Sequence, residues 1–302
     1  MDQRTELFQR HRRRLLGVAY RMLGSTADAE DVLQDAWLRW NESDTDSLRS
    51  AEAWLVTVVS RLAIDRLRAA RTERASYPGF WLPEPWVEPI DEDSPQSLLE
   101  RADDVSVALL RVLEQLGPEE RVAFVLRQAF DMDYADLAAA LGKSQAACRQ
   151  LVHRASERVQ AGRPRFEASA ESHRQLVEAF ALAAGRGDLA GMQDLLADEA
   201  ALVGDGGGKA RAFDFVLTGA RRLAQLYFAV ARRYAGQVTY RVVRVNGQPG
   251  LARFIGGALE SVQAFEFAGE RIAAIHVQRN PDKLVRAAAV VGASLEAGPG
   301  WR

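Results

Sequence analysis

Cysteine is almost missing from this chain: Cys148 is the only one in 302 residues. An internal disulfide and a multi-cysteine metal site are therefore excluded. Cys148 itself, within a helical pattern, reads as a small packed residue and not a redox thiol. Long hydrophobic runs are missing too. No stretch approaches the roughly 18 apolar residues of a membrane span and nothing resembles a signal peptide, so the expectation is a cytoplasmic chain without membrane contact. Proline is scarce and uneven: none lies between Thr5 and Arg74, whereas Pro78, Pro83, Pro85, Pro89 and Pro95 crowd one short stretch. Nor is there a large charge of one sign. The formal net charge of -2 excludes a globally basic protein, so any contact with nucleic acid must come from local patches.

What is present is ordinary globular material, 48% hydrophobic and 26% charged, long enough for two or three domains. Charge is distributed by segment: net +1 over 1–75, -7 over 76–104, +2 over 105–165 and +2 over 166–302. This divides the chain into a helical domain at 1–75, an acidic proline- and tryptophan-containing linker at 76–104, a second helical domain at 105–163 and a distinct domain at 164–302. Trp81 and Trp86 argue against a purely solvated linker, since large apolar rings find a surface to lie on.

Two helical patterns meet at Gly142 within DMDYADLAAALGKSQAACRQLVHRASERV (131–159). Leu137 and Leu141 stripe the first, Ser144 is placed to cap the second, and Leu151, Val152, Ala155 and Val159 recur at helical spacing. Ser144, Arg149, Gln150, His153 and Arg154 are left at the start and on the free face of the second helix. Arg and Gln there suit bidentate hydrogen bonds to base edges in a major groove, and the whole reads as a helix-turn-helix, against the bland alternative of a solvated amphipathic helix. A second basic patch, Arg61 to Arg74, holds 5 Arg against 2 acids. Trp54 followed by Arg61, Arg66, Arg68 and Arg71 offers aromatic surface for unstacked bases and charge for phosphates, although a lone Trp on an apolar helix face more often packs inward. In DAEDVLQDAWLRW, Val32, Leu33, Ala36, Trp37 and Trp40 form an apolar face, and Asp28, Glu30, Asp31, Gln34 and Asp35 an acidic one.

Beyond 164 the pattern changes. Helices are marked by Leu176, Val177, Phe180 and Ala184; by Leu189, Met192, Leu195 and Leu196; and by Leu223, Leu226, Tyr227 and Val230. Strand signals follow in TYRVVRV, LARFI, SVQAFEF and RIAAIHVQ, with an Asn246-Gly247 turn, and predict hairpin-connected antiparallel strands in an α+β domain with one concave face.

The chain resembles bacterial sigma factors of the extracytoplasmic-function group that carry a SnoaL-like C-terminal extension. DAEDVLQDAWLRW resembles the segment that docks on RNA polymerase, AWLVTVVSRLAIDRLR the segment that opens the minus-ten element, and PEERVAFVLRQAFDMDYADLAAALGKSQAACRQLVHRA the reader of the minus-thirty-five element. WLPEP (Trp81, Leu82, Pro83, Glu84, Pro85), DGGGK (Asp205, Gly206, Gly207, Gly208, Lys209) and NPDKL (Asn280, Pro281, Asp282, Lys283, Leu284) resemble signature segments of the extended subgroup. Arg61 stands where many relatives carry asparagine, a departure that bears on promoter preference.

The resemblance implies two all-α sigma domains, the second with the helix-turn-helix, and a C-terminal α+β SnoaL/NTF2-like cone. It implies polymerase docking through Asp28, Glu30, Asp31, Gln34 and Asp35, no cofactor, no metal and no catalytic residue, with core RNA polymerase and promoter DNA as partners. A small-molecule or protein signal would act at the C-terminal domain. Alternatives are a conventional DNA-binding regulator with a ligand-sensing domain, and a sigma factor whose C-terminal domain is an enzyme using Glu266 or His276. The GGGK string lacks the spacing of a phosphate-binding loop and reads as a contact loop. Lys209 is expected to pair with a linker carboxylate such as Glu84.

Overall fold

The computed structural model describes residues 3–43, 50–90, 105–161 and 170–295. The more acidic part of the expected linker, 91–104, and the junction at Gly162 to Pro164 lie outside the described residues. Two compact units are present: Met1–Ser76 with Leu109–Arg163, and Tyr77–Ala108 with Pro164–Arg302. The described part of the proline-rich stretch thus belongs to the C-terminal unit.

The first unit is helical: α1 (Gln3–Leu23), α2 (Thr26–Glu42), α3 (Ala51–Ala75), α4 (Val107–Glu114), α5 (Pro118–Ala129), α6 (Tyr134–Leu141) and α7 (Gln145–Ala161). The chain between Thr26 and Glu42 becomes helical because Ser25 accepts from the Asp28 amide at 3.2 Å, after Gly24 has turned the chain at a positive φ. Its apolar face, Val32, Leu33, Ala36 and Trp40, is buried together with Leu15, Val18 and Met22 of α1 and Leu55, Val59 and Ala63 of α3. Each such large side chain contributes about 1.5–3 kcal/mol. Trp40 is fully enclosed and still satisfies its indole, which donates to the Arg4 carbonyl at 3.1 Å.

Pro118 opens α5 and Glu120 accepts from the Gly117 amide at 3.3 Å, the first-turn arrangement its sequence suggests. Asp133 caps α6, Gly142 ends it in the left-handed region, and Ser144 accepts from the Ala147 amide at 3.2 Å to start α7. Cys148, Leu151, Val152, Ala155 and Val159 form the buried side of α7.

The second unit holds β1 (Val87–Glu88), α8 (Ala170–Arg186), α9 (Leu189–Leu195), β2 (Leu196–Asp205), β3 (Leu217–Thr218), α10 (Ala220–Arg233), β4 (Val238–Val245), β5 (Gln248–Ile255), β6 (Ala258–Ala268), β7 (Arg271–Gln278), a 3-10 turn (Pro281–Lys283) and α11 (Val285–Val291). The sheet order is β1-β4-β5-β6-β7-β2-β3. Strands β4 to β7 are consecutive antiparallel neighbours, joined first by Asn246-Gly247, both at positive φ. β2 pairs in parallel with β7, and β3 pairs antiparallel with β2 at the end of the order. Leu196, expected at the end of a helix, instead takes extended backbone as its C-cap and begins β2.

Alternation along each strand gives the sheet two apolar faces. Leu202, Leu251, Phe265 and Ile275 face the helices, packed with Val177 and Phe180 of α8 and Leu223 and Tyr227 of α10. Val245, Ala252, Val262 and Ala264 face the other way, against Leu284, Ala287 and Val291 and against Val87 of β1 and Val107 at the start of α4.

Candidate nucleic-acid interface and linker clamp

On α7 the burial of five residues leaves Arg149, Gln150, His153 and Arg154 exposed together. Their neighbours hold them loosely. Arg149 donates to Gln145 at 3.3 Å with its guanidinium 5.0 Å from the Tyr134 ring, His153 lies 3.6 Å from Glu157, and Arg154 donates to Glu120 at 3.0 Å. Arg158, not singled out by the sequence, shares Glu120 at 2.8 Å. Contacts of this exposed kind are worth about 0–1 kcal/mol and exchange readily for phosphate or base-edge partners.

On α3 the expected DNA-contacting residues are spread over several partners. Trp54 is half-buried and its ring lies 5.5 Å from that of Trp40, so it belongs in part to the packed core. Arg61 donates from Nε to the Ala140 carbonyl and from Nη2 to the Ala139 carbonyl, both at 3.1 Å. These carbonyls belong to the last turn of α6, which a guanidinium satisfies in place of water. Arg66 donates to Asp28 at 2.7 Å and lies 3.4 Å from Asp31, while Arg68 donates to Glu119 at 3.2 Å. Arg71 lies in α3, but its side chain is outside the described residues.

The acidic face of α2 is accordingly divided. Asp28 and Asp31 pair with Arg66, Glu30 pairs with Arg12, and Gln34 and Asp35 are exposed. Leu38 completes that last face, 54% exposed although apolar. It follows Asp31, Gln34 and Asp35 at helical spacing, a signal present in the sequence but hidden by the attention drawn to the buried stripe.

The second constellation surrounds Asp205, whose residue is fully buried at the end of β2. Its Oδ1 accepts from the Tyr77 hydroxyl at 2.7 Å and the Gly207 amide at 3.0 Å. Its Oδ2 accepts from the Leu82 amide at 2.9 Å, Lys283 at 2.7 Å and Gln278 at 3.2 Å. Tyr77 and Leu82 belong to the stretch that follows α3, so one carboxylate fastens that stretch to the sheet. Burial, and then the hydrogen bond to Asp205, push the Tyr77 phenol well above its ordinary range, keeping it a donor.

Lys283 completes the clamp. Besides Asp205 it donates to the Leu82 carbonyl at 2.8 Å, and its ammonium lies 4.2 Å from the Trp81 ring and 4.8 Å from the Tyr77 ring. Gln278 donates to the Leu82 and Pro83 carbonyls, and Asn280 to the Tyr77 hydroxyl at 2.9 Å. Asn280 also caps the turn at Pro281, accepting from the Asp282 amide, and Leu284 is buried beyond it. Leu82, Pro83, Glu84 and Pro85 are buried, and Trp81 is half-buried. Farther on, the Asn246 amide donates to the Trp86 carbonyl at 2.8 Å, and Val87 and Glu88 pair with Val245 and Arg244 as an added edge strand.

The glycines of DGGGK are explained by close approach. A Cβ on Gly207 would lie 2.3 Å from the Asn280 amide nitrogen, and one on Gly208 would lie 2.8 Å from Pro78; both residues have positive φ. The expected pairing of Lys209 with Glu84 is not what forms. Lys209 pairs with Asp282 at 2.5 Å, and the lysine that reaches the linker is Lys283. Sequence reasoning named Lys209 for that contact, and it missed Tyr77 and Gln278 entirely. His276 and Glu266 are 2.5 Å apart, but His276 lies with Leu82, Pro83 and Val262 on the linker-covered side. Neither residue lines the large cavity of the domain.

Comparisons with known proteins agree with this anatomy. Residues 7–73 match Sigma-70 region 2, and residues 106–159 match Sigma-70, region 4. The ECF RNA polymerase sigma factor SigJ of Mycobacterium tuberculosis is 37% identical over 289 residues, 91% of each chain. The probable ECF RNA polymerase sigma factor SigI of the same species is 30% identical over 275 residues, covering 91% of this chain and 92% of its own. The crystal structure of SigJ superposes with a TM-score of 0.75 at 33% identity, covering 97% of this chain and 100% of that one. With two helical sigma regions followed by a SnoaL-like α+β domain, the chain belongs to the extracytoplasmic-function sigma factors, which direct RNA polymerase to promoters and initiate transcription.

Proposed function

We propose that α7 reads the minus-thirty-five element through Arg149, Gln150, His153 and Arg154, that α3 engages the minus-ten element through its arginines, and that the Asp31, Gln34, Asp35 and Leu38 face of α2 docks on core polymerase. The described arrangement is then a closed state. Promoter elements about 25 base pairs apart are separated by on the order of 85 Å at 3.4 Å per base pair. Yet Arg61 of α3 is hydrogen-bonded to α6 at 3.1 Å. Both elements are readable at once only after that contact opens.

The C-terminal domain modulates this step as a regulator and not as an enzyme. The observation that carries the reading is Asp205, buried and accepting from both Tyr77 and Leu82, because the chain that must span the two promoter readers is fastened to the C-terminal sheet. Run-off transcription with core polymerase on a cognate promoter tests it. Lys283→Ala should change promoter output several-fold while the isolated protein keeps its fold by circular dichroism. Equal output from the variant and the parent would overturn the regulatory role. Tight, specific duplex binding without any effect on polymerase would favour a conventional regulator.

A further inference from the structure

The C-terminal domain contains a cavity of about 490 Å³ between α10 and the sheet, within the range of drug-sized ligand sites. Most of its wall is apolar: Leu202, Phe213, Leu226, Val230, Ile255 and Val277 contribute. Into this wall are set three charged side chains, Arg253 of β5, Glu260 of β6 and Arg279 just past the end of β7. Arg253 donates to Glu260 Oε2 at 2.7 Å, and Arg279 reaches Glu260 Oε1 at 2.5 Å. Their side chains are 8%, 3% and 16% exposed for Arg253, Glu260 and Arg279.

Two guanidinium groups therefore share one carboxylate, and the cluster carries one positive charge in excess. Glu260 is the only carboxylate among the described residues lining the cavity, whereas Arg211 and Arg233 add further positive charge to the lining. A buried charge in an apolar wall calls for a counter-charge. Arg211 and Arg233 are exposed and screened by solvent, so the buried part of the site is an apolar wall with one excess cation, which recognises one chemistry.

We propose that this cavity binds an amphipathic monoanion, an apolar body bearing a single carboxylate or comparable acidic head, with the head on Arg279 and Arg253 and the body against Leu226, Val230 and Phe213. The site is independent of the promoter-reading assignments, and it adjoins the clamp. Gly204 and Val277 line the cavity, while the next residues along their strands, Asp205 and Gln278, hold the linker, and the Arg279 amide donates to the Asp205 carbonyl at 2.7 Å. Cavity and linker thus share the ends of β2 and β7.

The test is isothermal titration calorimetry of the full chain at neutral pH with decanoate, decan-1-ol and acetate. Decanoate should bind with one-to-one stoichiometry, at least about ten-fold more tightly than the alcohol of the same length, because the head is charge-paired out of water. Acetate, the head alone, should not saturate. Leu226→Trp, at a partly exposed position that fills the cavity, should abolish decanoate binding. Arg279→Gln removes the excess charge of the buried cluster and should bring decanoate down toward the affinity of decanol. Equal binding of decanoate and decanol to the parent chain would overturn the proposal, as would absence of saturable decanoate binding. Decanoate affinity unchanged in a folded Leu226→Trp variant would overturn it too, since the ligand would then lie elsewhere.

Discussion

Arg66 and Lys283 each hold an aspartate oxygen at 2.7 Å, yet the two contacts do different work. The Arg66–Asp28 pair lies on the sigma-region surface with side chains 49% and 32% exposed, whereas the Lys283–Asp205 pair has 15% and 0%. Water and salt screen the first, so it is worth about 0–1 kcal/mol and its arginine is easily transferred to a phosphate. The second has no solvent to fall back on. Removing the carboxylate from such a buried site strands several donors at once, at a cost of about 3–5 kcal/mol. The Arg66 pair is exchangeable at the surface of the helical unit, whereas the C-terminal unit fixes the linker with charges that cannot be exchanged cheaply.

The largest expected effect tests that contrast directly. Asp205→Ala should destabilise the C-terminal unit by about 3–5 kcal/mol in urea denaturation, because Lys283, Gln278, Tyr77 and the Leu82 amide lose one common acceptor. Hydrogen exchange at the Leu82 amide should accelerate in parallel. Asp28→Ala, by comparison, should change stability by no more than about 1 kcal/mol. Should the two substitutions cost the same, the distinction between a fixed clamp and an exchangeable surface disappears.

The intermediate effect concerns reading of DNA. Arg149→Ala should weaken use of a promoter with its cognate distal element by about 1–3 kcal/mol if the guanidinium grips a base edge, and relax preference at that position. Measured in run-off competition between matched and mutated distal elements, a uniform loss across sequences would instead make Arg149 a phosphate contact. Unchanged promoter use by a folded variant would mean that the reading face of α7 is elsewhere.

Legibility in the sequence followed the range of the interactions. The helix-turn-helix was readable because its determinants are local: Ser144 as a cap, Gly142 at the turn, and Leu151, Val152, Ala155 and Val159 at helical spacing. The hairpins β4 to β7 were readable for the same reason, through alternation and Asn246-Gly247. What escaped was non-local. β2 pairs in parallel with β7 across some 70 residues, so no turn announces it, and Leu196 was absorbed into the preceding helix. The clamp brings Tyr77, Asp205 and Asn280 together from three distant places, and the short strings around them mark the places without saying which atoms meet. Hence Lys209 was credited with a linker contact that Lys283 makes. For Arg61, Arg66 and Arg68 the sequence could not report that each already has a partner in the same unit.

The smallest expected effect belongs to His173 of α8, the counterpart within the C-terminal unit of an exposed titratable group such as His153. Its ring stacks on Phe267 with centroids 3.9 Å apart and planes 10° apart, and its Nε2 is buried without a hydrogen-bond partner among the described residues. Burial lowers its affinity for a proton below the ordinary value of 6.5. Because the folded ring resists protonation and the unfolded one does not, the unfolded chain binds more protons as pH falls below about 6.5. The contribution of His173 is thus fully present above 6.5 and is lost as pH falls from there toward the lower folded value. His173→Phe keeps a ring against Phe267 and removes the titration. Thermal denaturation of the C-terminal unit as a function of pH should show a shallower acid-side decline for the variant than for the parent, with the curves parallel above 6.5. Curves that stay parallel throughout would show that the imidazole is reached by water in the folded protein, and would move His173 into the exchangeable class to which the surface charges of the sigma regions belong.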